Sequence, residues 1–111
     1  MLEISVAAGE AGPVMTLSGE ADLVSVAALS EALTAQVAGG ARQLTVDIAG
    51  LSFADSASVR ALVLAGRTLA ERGGSLVLLR PQSAVARVLT LMGVDQAITV
   101  RGGTESEPEG T

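Results

Sequence analysis

Two short apolar runs, Leu44–Ile48 and Ser75–Leu79, are each followed within a few residues by an apolar pattern of helical period. Strand–helix–strand–helix order implies a right-handed crossover between parallel, buried strands, which leaves few folds open to the chain. Leu44, Val46 and Ile48 form a run of β-favouring residues that Gly50 breaks. From about Ser56 to Arg72 the spacing predicts a helix, with Val59, Leu62, Val63, Gly66 and Leu69/Ala70 turned inward. Arg60, Arg67 and Glu71 fall on or near its opposite face, and Gly73-Gly74 stops it. SLVLL at 75–79 is the next strand. Pro81 and Ser83 then open a last helix through Val85, Val88, Leu89 and Met92, stopped by Gly93, and Ile98–Val100 adds an edge strand.

Upstream, Ile4, Val6 and Ala8 alternate with Glu3, Ser5 and Ala7, a weak strand pattern. Gly9–Pro13 is a turn and Val14–Ser18 the returning strand of a hairpin. Gly19-Glu20-Ala21-Asp22 forms a polar corner, after which Val26, Leu29, Leu33 and Val37 recur at helical spacing, with Ser25 as N-cap and Gly39-Gly40 as stop. The pattern predicts one α/β domain over residues 1–101, with a mixed sheet of about four to five strands and helices packed against it. Residues 102–111, GGTESEPEGT, contain no apolar side chain and are predicted to be a disordered acidic tail.

Composition removes several function classes. With neither cysteine nor histidine, the chain has no disulfide, no thiolate metal site and no imidazole base. Ser56 therefore has neither a histidine nor a lysine to activate it, which argues against a serine hydrolase. No loop of alternating oxygen ligands suggests a hard cation, so neither a cofactor nor a metal is expected. Seven arginines face twelve carboxylates, for a net charge of −5, and Phe53 is the one aromatic residue. Nucleic-acid binding, which wants a basic stripe and stacking platforms, is not expected. Apolar runs such as Ala61–Gly66 end at a charge far short of the roughly 18 residues that span a bilayer. MLEISVAAGE carries Glu3 and no basic segment, unlike a signal peptide, so a cytoplasmic location is expected, without membrane partners.

The chemistry concentrates between the strand ending near Ile48 and the helix starting near Ser56. Asp55, Ser56 and Ser58 lie where a helix N-terminus presents unpaired N–H groups and a positive dipole end, which favour a bound or attached anion. Ser56 also suits an N-cap, a role compatible with modification. Asp55 reads equally as a capping or pairing residue and as one that orients Ser56. Asp22 reads as a solvated loop carboxylate or as a partner contact. Phe53 and the stripe Val59, Leu62, Val63 and Leu69 read as core, and Arg60 and Arg67 as a solvated face able to meet acids on a partner.

The sequence resembles the STAS domain family, and within it the bacterial anti-sigma factor antagonists. The resemblance spans roughly Ile4 to Val100. It rests on Gly19-Glu20-Ala21-Asp22, on Leu51-Ser52-Phe53-Ala54-Asp55-Ser56 leading into a helix, on Arg72-Gly73-Gly74-Ser75-Leu76, and on Val85 with Arg87-Val88-Leu89 and Met92-Gly93-Val94. It implies a non-enzymatic regulator of partner switching in transcription. Such a protein binds an anti-sigma factor that is also a serine kinase, releasing a sigma factor, as in stress responses. The kinase then phosphorylates the serine after the motif aspartate, here Ser56, and a phosphatase restores it. By the same resemblance Glu20, Asp22, Asp55, Ser58 and Arg60 are candidate partner contacts. Ser58 stands where a glycine is common in the family and is a second candidate phosphosite. The alternative is a non-switching STAS subunit of a transporter ATPase complex or of a stress-signalling scaffold.

Overall fold

The computed structural model describes residues 1–94 and 98–102. Five strands and three helices alternate as β1 (Leu2–Ala7), β2 (Val14–Ala21), α1 (Val26–Ala38), β3 (Gln43–Ala54), α2 (Ser56–Glu71), β4 (Ser75–Leu79), α3 (Ser83–Leu91) and β5 (Thr99–Arg101). They form one sheet in the order β1-β2-β3-β4-β5. β1 pairs antiparallel with β2, and every later pair is parallel. This is the mixed sheet expected from the hairpin followed by βα units. Residues 103–111 of the predicted tail lie outside the described residues.

The register explains where the core sits. Met15 faces Val46, Leu44 faces Leu76 and Val46 faces Leu78, so the buried residues of three strands share one side of the sheet. On that side they join Leu29, Leu33 and Val37 of α1, Val59, Leu62 and Leu69 of α2, and Val85 and Leu89 of α3 in one apolar cluster. No helix among the described residues is long and apolar enough to cross a membrane.

α2 ends as its sequence predicts. Gly73, at φ +79°, lets its own N–H reach Ala70 O at 3.0 Å, and Gly74 N–H reaches Leu69 O at 2.8 Å. That is the paired closure of a Schellman motif, and its left-handed residue favours glycine.

Four expectations need correction. Gly50 does not end the strand: β3 continues to Ala54. Between Thr16/Ser18 and again between Gly19/Glu20, β3 carries one residue more than β2, so the ladder bulges twice and goes on. Each bulge shifts the inward phase, and burial passes from Ile48 to Leu51 and then to Ala54 rather than following a strict period of two. Phe53 is consequently turned out and is 49% exposed instead of lying in the core. Met92, at the end of α3, and Ala70, on α2, are also exposed, α2 burying Ala65 and Gly66 beside Leu69.

Candidate functional site

Because β2 and β3 run parallel, their C-terminal ends bring the two polar corners of the sequence together. Ala21 pairs with Ala54 and Glu20 with Phe53, and the Asp55 N–H donates to Ala21 O at 3.0 Å. The bulge residue Ser52 adds a further tie, its hydroxyl donating to Gly19 O at 3.1 Å. Gly19 itself is obligatory. It adopts φ +96°, and a Cβ there would lie 2.1 Å from Met1 O.

Asp22 organises the first corner. Its Oδ1 accepts from Val24 N–H at 3.1 Å and Ser25 N–H at 3.2 Å, while Ser25 Oγ accepts from Asp22 N–H at 3.0 Å. The exchange has the reciprocal logic of a capping box. Ser25, expected to cap α1 with its side chain, makes no such bond to the helix. The turn that Asp22 holds leaves Leu23 and Val24 projecting, 74% and 92% exposed. Neither was singled out from sequence, because two adjacent apolar residues in a polar corner fit neither the helical nor the strand period. Glu20 is exposed and accepts a 2.7 Å hydrogen bond from the amino group of Met1, an interaction that raises the pKa of that amine.

The second corner is capped by Asp55 rather than by Ser56. The Asp55 backbone is extended, and its Oδ1 accepts from Ser58 N–H at 2.9 Å. Ser56 thereby becomes the first residue of α2: it is exposed, and its hydroxyl makes no hydrogen bond within the described residues. Arg60 follows one turn later, also exposed. Ser58 is different. Although expected as a partner contact and second phosphosite, it is fully buried, and its Oγ has no hydrogen-bond partner among the described residues. At the third helical position its side chain turns toward the core, so neither a kinase nor a partner reaches it while α2 is formed.

Ser56, Phe53, Leu23 and Val24 are thus left unengaged at a corner whose backbone is fixed by Asp22, Asp55 and the β2–β3 pairing. The arrangement is a partly apolar corner with, at a helix N-terminus, an exposed hydroxyl that makes no hydrogen bond among the described residues. The family model described as "Mlab, STAS domain" matches residues 4–101, and the chain belongs to the STAS domain family. Its fold is similar to that of an anti-sigma factor antagonist from Mycobacterium paratuberculosis, with a TM-score of 0.80 and 24% identity over 91% of this chain and 86% of that one. The anti-sigma factor antagonist SpoIIAA in its unphosphorylated form gives a TM-score of 0.77 and 22% identity over 94% of this chain and 90% of that one. SpoIIAA, the Bacillus cell fate determinant, in its phosphorylated form gives 0.71 and 21% identity over 94% of this chain and 93% of that one. No curated protein sequence matches the chain at comparable significance.

Proposed function

We propose that this domain is an anti-sigma factor antagonist, which binds an anti-sigma factor with serine-kinase activity and is released when Ser56 is phosphorylated. The observation that carries the reading is the state of Ser56: exposed, unbonded and first in α2, directly after the aspartate that caps the helix. The known phosphorylated form of a structural neighbour supports it. In the transfer, Ser56 Oγ attacks the γ-phosphorus of kinase-bound ATP. The Oγ–P bond forms as the bond to ADP breaks, and the hydroxyl proton passes to a base on the kinase, since this chain has no histidine to take it. Asp55 serves this step by fixing the backbone on which Ser56 rides. A phosphatase reverses it by hydrolysis.

The product is tolerated where it forms. A phosphoryl group of about −1.5 to −2 charges at the first turn of a helix meets free N–H groups and the favourable end of the dipole. The fold is kept, and the change is felt by the partner across Glu20, Asp22, Phe53, Asp55, Ser56 and Arg60.

The test is intact-mass measurement after incubation with ATP and soluble extract of the host, beside Ser56→Ala. Gain of one phosphoryl group by the wild type alone is expected. Equal gain by Ser56→Ala, or none while the extract kinases modify another antagonist, refutes the assignment. The second outcome favours the other reading, a non-switching STAS subunit of a transporter ATPase complex or of a stress-signalling scaffold.

A further inference from the structure

The outer face of α2 continues the candidate interface away from the corner. Ser56, Arg60, Leu64 and Arg67 follow one another at helical spacings of three or four and are all exposed, Leu64 by 55%. Beside this stripe lies a groove of about 260 Å³, walled on one side by Arg60, Val63, Leu64 and Arg67 and on the other by Met92, Gly93 and Val94 at the end of α3. Neither guanidinium has an ion-pair partner among the described residues. Two cations without an ion-pair partner among the described residues, flanking an apolar floor, are conspicuous in a chain with a net charge of −5.

We propose that this groove docks an acidic amphipathic helix of the partner protein. That helix presents two carboxylates about two turns apart to Arg60 and Arg67, and an apolar side chain between them to Val63, Leu64 and Met92. Charge selects the acid, the arginine spacing of seven residues, about 10 Å along α2, selects a helix of matching pitch, and the apolar floor selects against a purely polar ligand. The acidic segment at 103–111 of this chain fails the last requirement, because it has no apolar residue.

The inference rests on the antagonist reading and supplies a cause for release. Ser56 lies one turn from Arg60, so its phosphoryl group is within reach of that guanidinium. Phosphorylation therefore withdraws Arg60 from the partner and nearly cancels the two positive charges of the stripe. The acidic helix loses its counter-charge and is repelled by the phosphate.

The probe is a fluorescein-labelled, lactam-stapled helical peptide with glutamates at i and i+7, leucines at i+3 and i+4, and alanine elsewhere. Its anisotropy is followed with the purified full chain at low and physiological salt. Saturable binding is expected, weakened at least about tenfold by Arg60→Glu/Arg67→Glu and by phosphoserine installed at position 56 during translation. It should weaken with salt and vanish for the peptide carrying lysine in place of both glutamates. Circular dichroism and Tm verify that the variants fold. No binding, or binding indifferent to arginine reversal or to peptide charge, overturns the proposal. A chain truncated after Gly102 that binds severalfold more tightly would assign the groove to the chain's own tail. Dimerisation abolished by arginine reversal would assign it to a second copy. Either of these also overturns the proposal. The assay uses no kinase, so its failure is distinguishable from absence of Ser56 phosphorylation. Loss of affinity on arginine reversal without loss on phosphorylation retains the docking surface and overturns the release mechanism.

Discussion

The orphaned hydroxyl of Ser58 makes a quantitative prediction: Ser58→Ala stabilises the protein. A buried hydroxyl with no hydrogen-bond partner costs about 1–3 kcal/mol in lost hydration, and Ser58 Oγ is such a group. Alanine also exceeds serine in helix propensity by roughly 0.5 kcal/mol at this third position of α2. Against these stands the packing lost with one oxygen atom, which leaves a void smaller than a methyl group and costs about 0.5 kcal/mol. The Asp55 cap is untouched, because Oδ1 accepts from the backbone N–H of Ser58 and not from its side chain. The net gain is about 1–3 kcal/mol. For a domain of this size that raises Tm by roughly 5–15 °C, or the urea midpoint by about 0.5–1.5 M with an unchanged slope. Ser58→Gly separates the contributions: it removes the same hydroxyl, gives up about 1 kcal/mol of helix propensity relative to alanine, and falls below Ser58→Ala by about that amount. A Ser58→Ala protein with unchanged or lower Tm refutes the reasoning, and means that the hydroxyl is satisfied in solution by a water molecule or a shifted rotamer.

The other outcomes follow from contacts at the same corner and along α2. Asp55→Ala loses the cap and about 1 kcal/mol of stability by urea denaturation, whereas Asp55→Asn keeps most of both, since asparagine caps about as well as aspartate. If Asp55 serves phosphorylation through this backbone role, Asp55→Asn is phosphorylated at a near-normal rate; a large fall would assign the negative charge itself to the transfer. Gly66→Ala drives a Cβ to 2.3 Å from Ile98 Cγ2, and thermal unfolding should register a loss of about 1–3 kcal/mol. Phe53→Ser leaves Tm nearly unchanged, as an exposed ring contributes little to the core; on the antagonist proposal it weakens capture of an anti-sigma factor in a pull-down.

Most of the sheet and all three helices are legible in the sequence because their periods are clean. SLVLL is too short and too uniformly apolar to be anything but a buried strand. The glycines at 39–40, 73–74 and 93 close the helices where they stand. What period alone cannot reveal is a bulge. The two extra residues in β3 invert the inward phase twice over Ile48–Ala54, and Phe53 reads as core only if that phase is constant. Caps are ambiguous for a related reason. Asp55 and Ser56 are both good capping residues in adjacent positions, and the choice falls to Asp55 because its N–H is held by Ala21 O, a partner 34 residues away. Leu23 and Val24 escape notice because their exposure is imposed by the Asp22–Ser25 turn and not by any pattern of their own.

The corner divides its labour by residue. Asp22 and Asp55, the residues most readily taken for partner contacts, spend a carboxylate oxygen each on backbone N–H groups and hold the geometry. Ser56, Phe53, Leu23 and Val24 hold nothing together and are free to meet another molecule. A surface made this way can change its charge at Ser56 without disturbing what supports it, because the bonds that shape the corner run through the backbone, the two aspartates, Ser25 and Ser52, and none of them through Ser56. Modification of a buried hydroxyl would have traded stability for signal. Here the buried serine is Ser58, sealed under the first turn of α2, and the exposed one lies two residues earlier, in solvent. If Ser56 is the switch, that separation lets it act on affinity alone, with the bulged end of β3, the Asp22 turn and the arginine stripe of α2 as the surface open to a partner.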